Sequence, residues 1–141
     1  MEVSEVRRQL RHAIERAKAR AQRKRQNAAD AERAYAAFLE DVATPTTRMV
    51  ANALKAEGYP FTVFTPSGSV RLMSDRNADD YIEVVLDTTG DEPQVIGRSS
   101  RGRGHRVLQS EQPIRDAKVG DLTEHDVLGF VMKELEPLVE R

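Results

Sequence analysis

Forty-one consecutive residues, Glu2 to Val42, contain neither glycine nor proline, and this stretch constrains the fold more than any other feature of the chain. Alanine is its commonest residue, and Arg, Glu and Gln supply most of the rest, all strong helix formers. At 1.5 Å per residue, one helix over this span is a rod of about 60 Å. The remaining residues can build a compact body with a radius of gyration of only about 13 Å. Part of the rod therefore has no surface of its own body to lie on. The expected organisation is an extended basic, Ala-rich helical arm over 1–42 and a compact domain over 43–141.

The apolar residues of the arm recur every seven positions. Val3, Leu10, Ala17, Ala31 and Phe38 form one register, and Ile14, Ala21, Ala28, Tyr35 and Val42 the other, with breaks at Arg7 and Lys24. This is a coiled-coil-like seam whose large side chains sit at its two ends. Between Ile14 and Tyr35 the seam is Ala or Lys, so little hydrophobic area is available there. The second cluster, Tyr35, Phe38, Leu39 and Val42, is expected to pack on the chain's own domain. Val3, Leu10 and Ile14 are left to reach outward.

Charge is segregated along the chain although the net charge is only −1. Residues 7–25 hold nine Lys or Arg against the single acid Glu15, whereas residues 43–141 hold twelve bases against sixteen acids. Arg11, Lys18 and Arg25 repeat every seven residues beside the seam, with Arg16, Arg20 and Arg23 on adjoining faces. This positive stripe suits phosphates or an acidic protein partner, or it is a solvated face that keeps the helix soluble. A parallel in-register pair of arms would set Arg20 near Arg25 of its partner without compensating opposite charge, so the sequence does not encode that dimer well. Arg outnumbers Lys seventeen to five, which fits the codon usage of a GC-rich, bacterial-type genome.

Beyond the arm, Thr44 and Pro45 read as the cap and first position of a second helix. Met49, Val50, Ala53 and Leu54 would be its buried stripe, and Gly58 its end. The period then changes to two. Strands are expected over 61–65, 69–74, 81–87, 94–98 and 106–110, with Gly97 marking a bulge or twist. Thr123, with Asp126 three residues on, caps a last amphipathic helix carrying Val127, Leu128, Val131, Met132, Leu135, Leu138 and Val139. Helix, helix, antiparallel meander, helix is an α+β pattern, with the helices on one face of a four- to five-stranded sheet.

Chemistry is sparsely signalled. The chain has no cysteine, which excludes disulfides, thiolate metal sites and cysteine nucleophiles. His12, His105 and His125 lack ligand-type spacing. Asp80 and Glu83 lie where a metal-dependent nuclease would keep carboxylates, but no Glu-x-Lys follows, and a solvated strand face accounts for them. The segment Gly97 to Arg106, with Arg98, Arg101, Arg103 and Arg106 among three glycines, reads as a mobile cationic loop able to approach anions.

No cofactor, metal or catalytic constellation is expected. Without a long apolar run or a hydrophobic leader, a soluble cytoplasmic chain without membrane contact is expected. The functional expectation is a non-enzymatic interaction or assembly module. It would engage a protein partner, or a second copy, through Val3, Leu10 and Ile14. The alternative is nucleic-acid binding by the arm and the Arg/Gly segment together.

Overall fold

A computed structural model describes residues 1–140. Helix α1 spans Val3–Phe38, a π-turn spans Leu39–Ala43, α2 spans Thr44–Ala56 and α3 spans Glu124–Val139. Five strands lie between α2 and α3: β1 Phe61–Phe64, β2 Ser69–Ser74, β3 Tyr81–Asp87, β4 Gln94–Arg103 and β5 Arg106–Pro113. They form one antiparallel meander in sequential order, the α+β arrangement expected from the sequence.

The first two helices differ from expectation at their junction. Thr44 does not cap a new helix: it is itself helical, at φ −66° and ψ −48°, and no side chain caps α2. Its N–H bonds to the carbonyl of Leu39, five residues back, so the helix passes through one wide turn and continues. The reason lies in Pro45, which has no N–H to give and whose ring would crowd the carbonyl four residues before it. One wide turn relieves that crowding. The Thr47 hydroxyl donates to the Ala43 carbonyl at 2.7 Å, giving that group a partner. The extra residue also advances the helix phase. Buried positions on α2 are therefore Thr46, Thr47, Val50, Ala51 and Leu54, while Met49 is 54% exposed and Ala53 is exposed, contrary to the expected stripe.

Gly58 ends α2 at φ +91°, with Gly58 N–H on the Lys55 carbonyl and Tyr59 N–H on that of Leu54. This paired closure is the one in which glycine replaces an L side chain in left-handed backbone.

The core lies between one sheet face and the helices. Val70, Leu72, Ile82, Val84 and Val95 point from the sheet toward Tyr35, Phe38, Val50, Leu54, Val127, Phe130, Val131 and Leu135. Phe130 is a core residue that the expected face of α3 omitted, and Met132, included there, is exposed. The N-terminus of α3 is closed as expected. Thr123 Oγ1 accepts from Asp126 N–H, and the Asp126 carboxylate accepts the Thr123 N–H at 2.8 Å. That backbone hydrogen bond is the main reason the Asp126 carboxyl sits below its ordinary pKa.

Gly97 marks no bulge. It sits in regular register opposite Val84 on one side and Gln112 on the other. Its missing side chain is a slot for the Phe130 ring: a Cβ placed on Gly97 would lie 2.2 Å from Phe130 Cζ.

Candidate functional site

Three surfaces carry the residues singled out by the sequence: the arm, the β4–β5 hairpin and the sheet face turned away from the helices. The arm divides within α1. No residue from Met1 to Asn27 is buried, whereas Ala28 and Ala31 are half-covered and Tyr35 and Phe38 are in the core. The Tyr35 hydroxyl donates to the carbonyls of Gly68 (2.8 Å) and Val84 (3.2 Å), pinning α1 against β2 and β3. Burial, and then the charge of Glu83, raises its pKa well beyond the usual phenol value. Ten residues before Phe38 the helix leaves the body, and Lys24 makes a last contact, with the Thr89 carbonyl at 3.4 Å.

Outside that contact the rod carries Val3 (75% exposed), Val6, Leu10 (57%) and Ile14 (45%) in water. Val6 joins the three positions named from the heptads. It was missed because it lies off the strict seven-residue registers, yet at i+3 from Val3 and i−4 from Leu10 it shares their side of the helix. Arg11, Lys18 and Arg25 are exposed beside this strip. Near the N-terminus, Glu5 accepts from Arg8 and Gln9, and the Arg8 bond is the main cause of its lowered pKa.

The Arg/Gly segment is not a mobile loop. Ser99 to Arg103 belong to β4, paired to β3 through Ser100 and to β5 as far as Arg103, and only Gly104 and His105 form the turn. Serine, glycine and arginine have modest strand preference, but Ser99 and Ser100 are held by ladders on both sides, and Arg101 to Arg103 by the β5 ladder. Gly104, at φ +61°, supplies the backbone that a two-residue hairpin needs at its first position. The Asp80 carboxylate accepts the Gly102 N–H at 2.9 Å, and Asn77 and Asp79 crowd Gly102, so the β2–β3 turn latches onto the hairpin.

Alternation then separates the arginines. Arg101, Arg103 and Arg106 share the helix-side face near the tip, with Arg103 directly opposite Arg106. None of the three makes an ion pair among the described residues. Arg98 lies on the other face. There its Nε meets Glu111 Oε1 at 2.7 Å and its Nη1 meets Glu83 Oε1 at 3.8 Å.

Arg98 thus belongs to a row crossing four strands: Arg71 on β2, Glu83 on β3, Arg98 on β4 and Glu111 on β5, each directly opposite the next. Arg71 Nε bonds Glu83 Oε2 at 3.0 Å, and its guanidinium stacks 4.1 Å from the Tyr81 ring centre. Opposite charges at facing positions support strand pairing. Flanked by two arginines and Ser69, Glu83 is only 5% exposed, and Asp80 is equally buried beneath the hairpin. These two acids are therefore structural groups and not the solvated ones expected. No group of three or more His, Asp or Glu among the described residues could hold a metal ion, and His12, His105 and His125 are exposed and apart from one another.

The arm and the hairpin do not merge into one positive surface. Lys24 stands at the β3–β4 turn, while Arg103 and Arg106 stand at the other end of β4, about 30 Å away along the strand. No helix among the described residues is long and apolar enough to cross a membrane.

Comparison of the chain with protein-family models, with curated proteins and with solved structures gives no match.

Proposed function

We propose that this chain is a non-enzymatic interaction module whose N-terminal helical arm docks on another protein chain. One observation carries the reading: Val3, Val6, Leu10 and Ile14 share one side of a rod that has left its own body and covers none of them. Burying the exposed half of four such side chains is worth on the order of 4 kcal/mol. The basic residues beside the strip favour an acidic partner surface.

Two measurements test this. Removing residues 1–25 takes away no buried side chain and only the Lys24 contact, so the unfolding free energy of the monomer, measured at low protein concentration and high salt, should change by less than about 0.5 kcal/mol in chemical denaturation. A larger loss would make the arm part of the core. A photo-crosslinking residue at Leu10, in cells that express the chain natively, should trap a protein. One at Glu15, on the other side of the helix, should not. Absence of a protein adduct at Leu10 would overturn the reading.

A second reading, nucleic-acid binding, is favoured by the hairpin alone. Arg103 facing Arg106 is a like-charge pair that costs pairing energy, and neither makes an ion pair with an acid among the described residues. A phosphate backbone would. Binding to random duplex or single-stranded oligonucleotide, followed by anisotropy, should then weaken steeply with salt and fall uniformly in Arg101→Glu/Arg103→Glu. No binding at low salt removes this reading.

A further inference from the structure

This inference rests on the arm-docking reading and names its partner. We infer that the arm docks on a second copy of this chain, the two α1 helices running antiparallel about a two-fold axis close to Gln26.

The first ground is the charge pattern along one unbroken helix. Residues 7–25 carry nine bases and one acid, whereas residues 30–41 carry Asp30, Glu32, Glu40 and Asp41 against Arg33, which is already paired with Asp30. The centres of these stretches are about 30 Å apart along the rod, several Debye lengths at physiological salt, so they do not neutralise each other within one chain. A parallel pair sets base on base and acid on acid. An antiparallel pair centred midway sets each basic half beside the partner's acidic half, and does so twice. With the axis near Gln26, Arg20 comes level with Glu32 of the other copy and Arg11 with Asp41. Gln26 sits on the axis itself, and Lys24 and Arg25 of each copy, within about 3 Å of its level, are the one unfavourable like-charge meeting of the pair.

The second ground is a place to receive the strip. Where the C-terminal half of α1 meets the β1–β2 turn, Ala36, Leu39 and Gly68, with Glu32 and Glu40, line an open groove. In the same register Ile14 and Ala17 of the other copy run along this floor, with Lys18 on the flank of Glu32 and Arg11 on that of Glu40. Farther along, Val3 comes level with the exposed Met49 of α2. Alanine at positions 17 and 21 lets the two backbones approach closely in the middle of the pair.

A polyanion accounts for less. It would engage the basic half but leave Val3, Val6, Leu10 and Ile14 in water and be repelled by the acidic half. The two-fold pair uses the strip, both charge blocks and the groove, and it closes on itself, giving a dimer and not a filament.

Purified full-length chain gives the test, since without native cysteine any introduced pair reports unambiguously. Sedimentation equilibrium at low salt should give twice the 15.8 kDa of one chain. The dissociation constant should rise at least tenfold in high salt, and likewise in Glu32→Lys/Glu40→Lys, whose exposed sites leave the circular dichroism unchanged. Under oxidation Ala17→Cys/Ala36→Cys should link two chains, and Ala17→Cys alone should not, because its two copies would lie roughly 27 Å apart.

Linking by Ala17→Cys alone would show a parallel pair and overturn the inference. So would a dimer indifferent to Glu32→Lys/Glu40→Lys, or a chain that stays monomeric at every concentration. A monomer that still yields a Leu10 photo-adduct with a different protein would refute the second copy while leaving arm docking intact. A monomer without such an adduct would refute both.

Discussion

Gly97→Ala is expected to destabilise the protein by about 3 kcal/mol, at the upper end of what overpacking by one methyl group costs. The new Cβ would sit 2.2 Å from Phe130 Cζ and 2.5 Å from both Cε atoms, far inside contact distance. Neither side has an easy way to yield. The backbone at Gly97 is paired to Val84 and to Gln112, so the strand is fixed from both edges. The Phe130 ring is 6% exposed and belongs to the cluster that joins α3 to the sheet. Such a loss is a large share of the 5–15 kcal/mol that holds a domain of this size together. Chemical denaturation of Gly97→Ala, Phe130→Leu and the double variant measures it. Leucine lacks the far end of the ring, so the double variant should recover part of the loss, and the two changes should be non-additive by more than about 1 kcal/mol. If Gly97→Ala costs under about 0.5 kcal/mol, the ring does not rest on the glycine.

Glu83→Ala is the next largest effect, expected near 2 kcal/mol. Its carboxylate accepts from Arg71 at 3.0 Å and from Ser69 at 3.4 Å and also faces Arg98. Removing one member of a fully buried ion pair costs about 3–5 kcal/mol, because the other charge is stranded. Here both arginines keep access to water, and Arg98 retains Glu111, so the penalty is reduced. A double-mutant cycle between Glu83→Ala and Arg71→Ala should give a coupling of about 1 kcal/mol. Coupling near zero would mean that the row contributes shape and solubility alone, and that the Arg71–Tyr81 stack holds this part of the sheet.

Much of the framework was legible because local pattern and tertiary burial agree. The runs 69–74 and 81–87 each place two aliphatic side chains two residues apart on the core face, Val70 and Leu72, Ile82 and Val84, and both strands have the bounds expected. The cap at Thr123 was legible for a similar reason: both of its hydrogen bonds lie within four residues. Misreadings arose where a distant element decides. Ser99 to Arg103 has a loop composition, and only the ladders to β3 and β5 make it a strand. Glu83 and Asp80 look solvated in isolation, and their burial comes from Arg71, Arg98 and the hairpin. Thr44-Pro45 is a helix-start signature that an uninterrupted helix can also accommodate through a π-turn, and the phase shift displaced the expected core from Met49 to Ala51.

For the arm, the sequence marked Val3, Leu10 and Ile14 through their seven-residue spacing, and the structure adds Val6. What a one-dimensional pattern lacks is direction. Whether the arm's bases and the hairpin's arginines share a surface depends on which end of the sheet each occupies, and they occupy opposite ends.

The wide turn at Leu39–Ala43 has a consequence for evolution of the arm. Side chains on a helix advance by about 100° per residue, so a single inserted residue, absorbed as a π-turn, rotates α2 by that angle relative to α1. Because Tyr35 and Phe38 lie on the arm's side of the turn and are held in the core, the azimuth at which the Val3–Ile14 strip faces the world is locked to the sheet and not to α2. A lineage that gained or lost one residue at this turn would shift α2 against a fixed arm and leave the direction of the strip unchanged; re-aiming the strip takes an insertion or deletion between Ile14 and Ala28, where no side chain is buried.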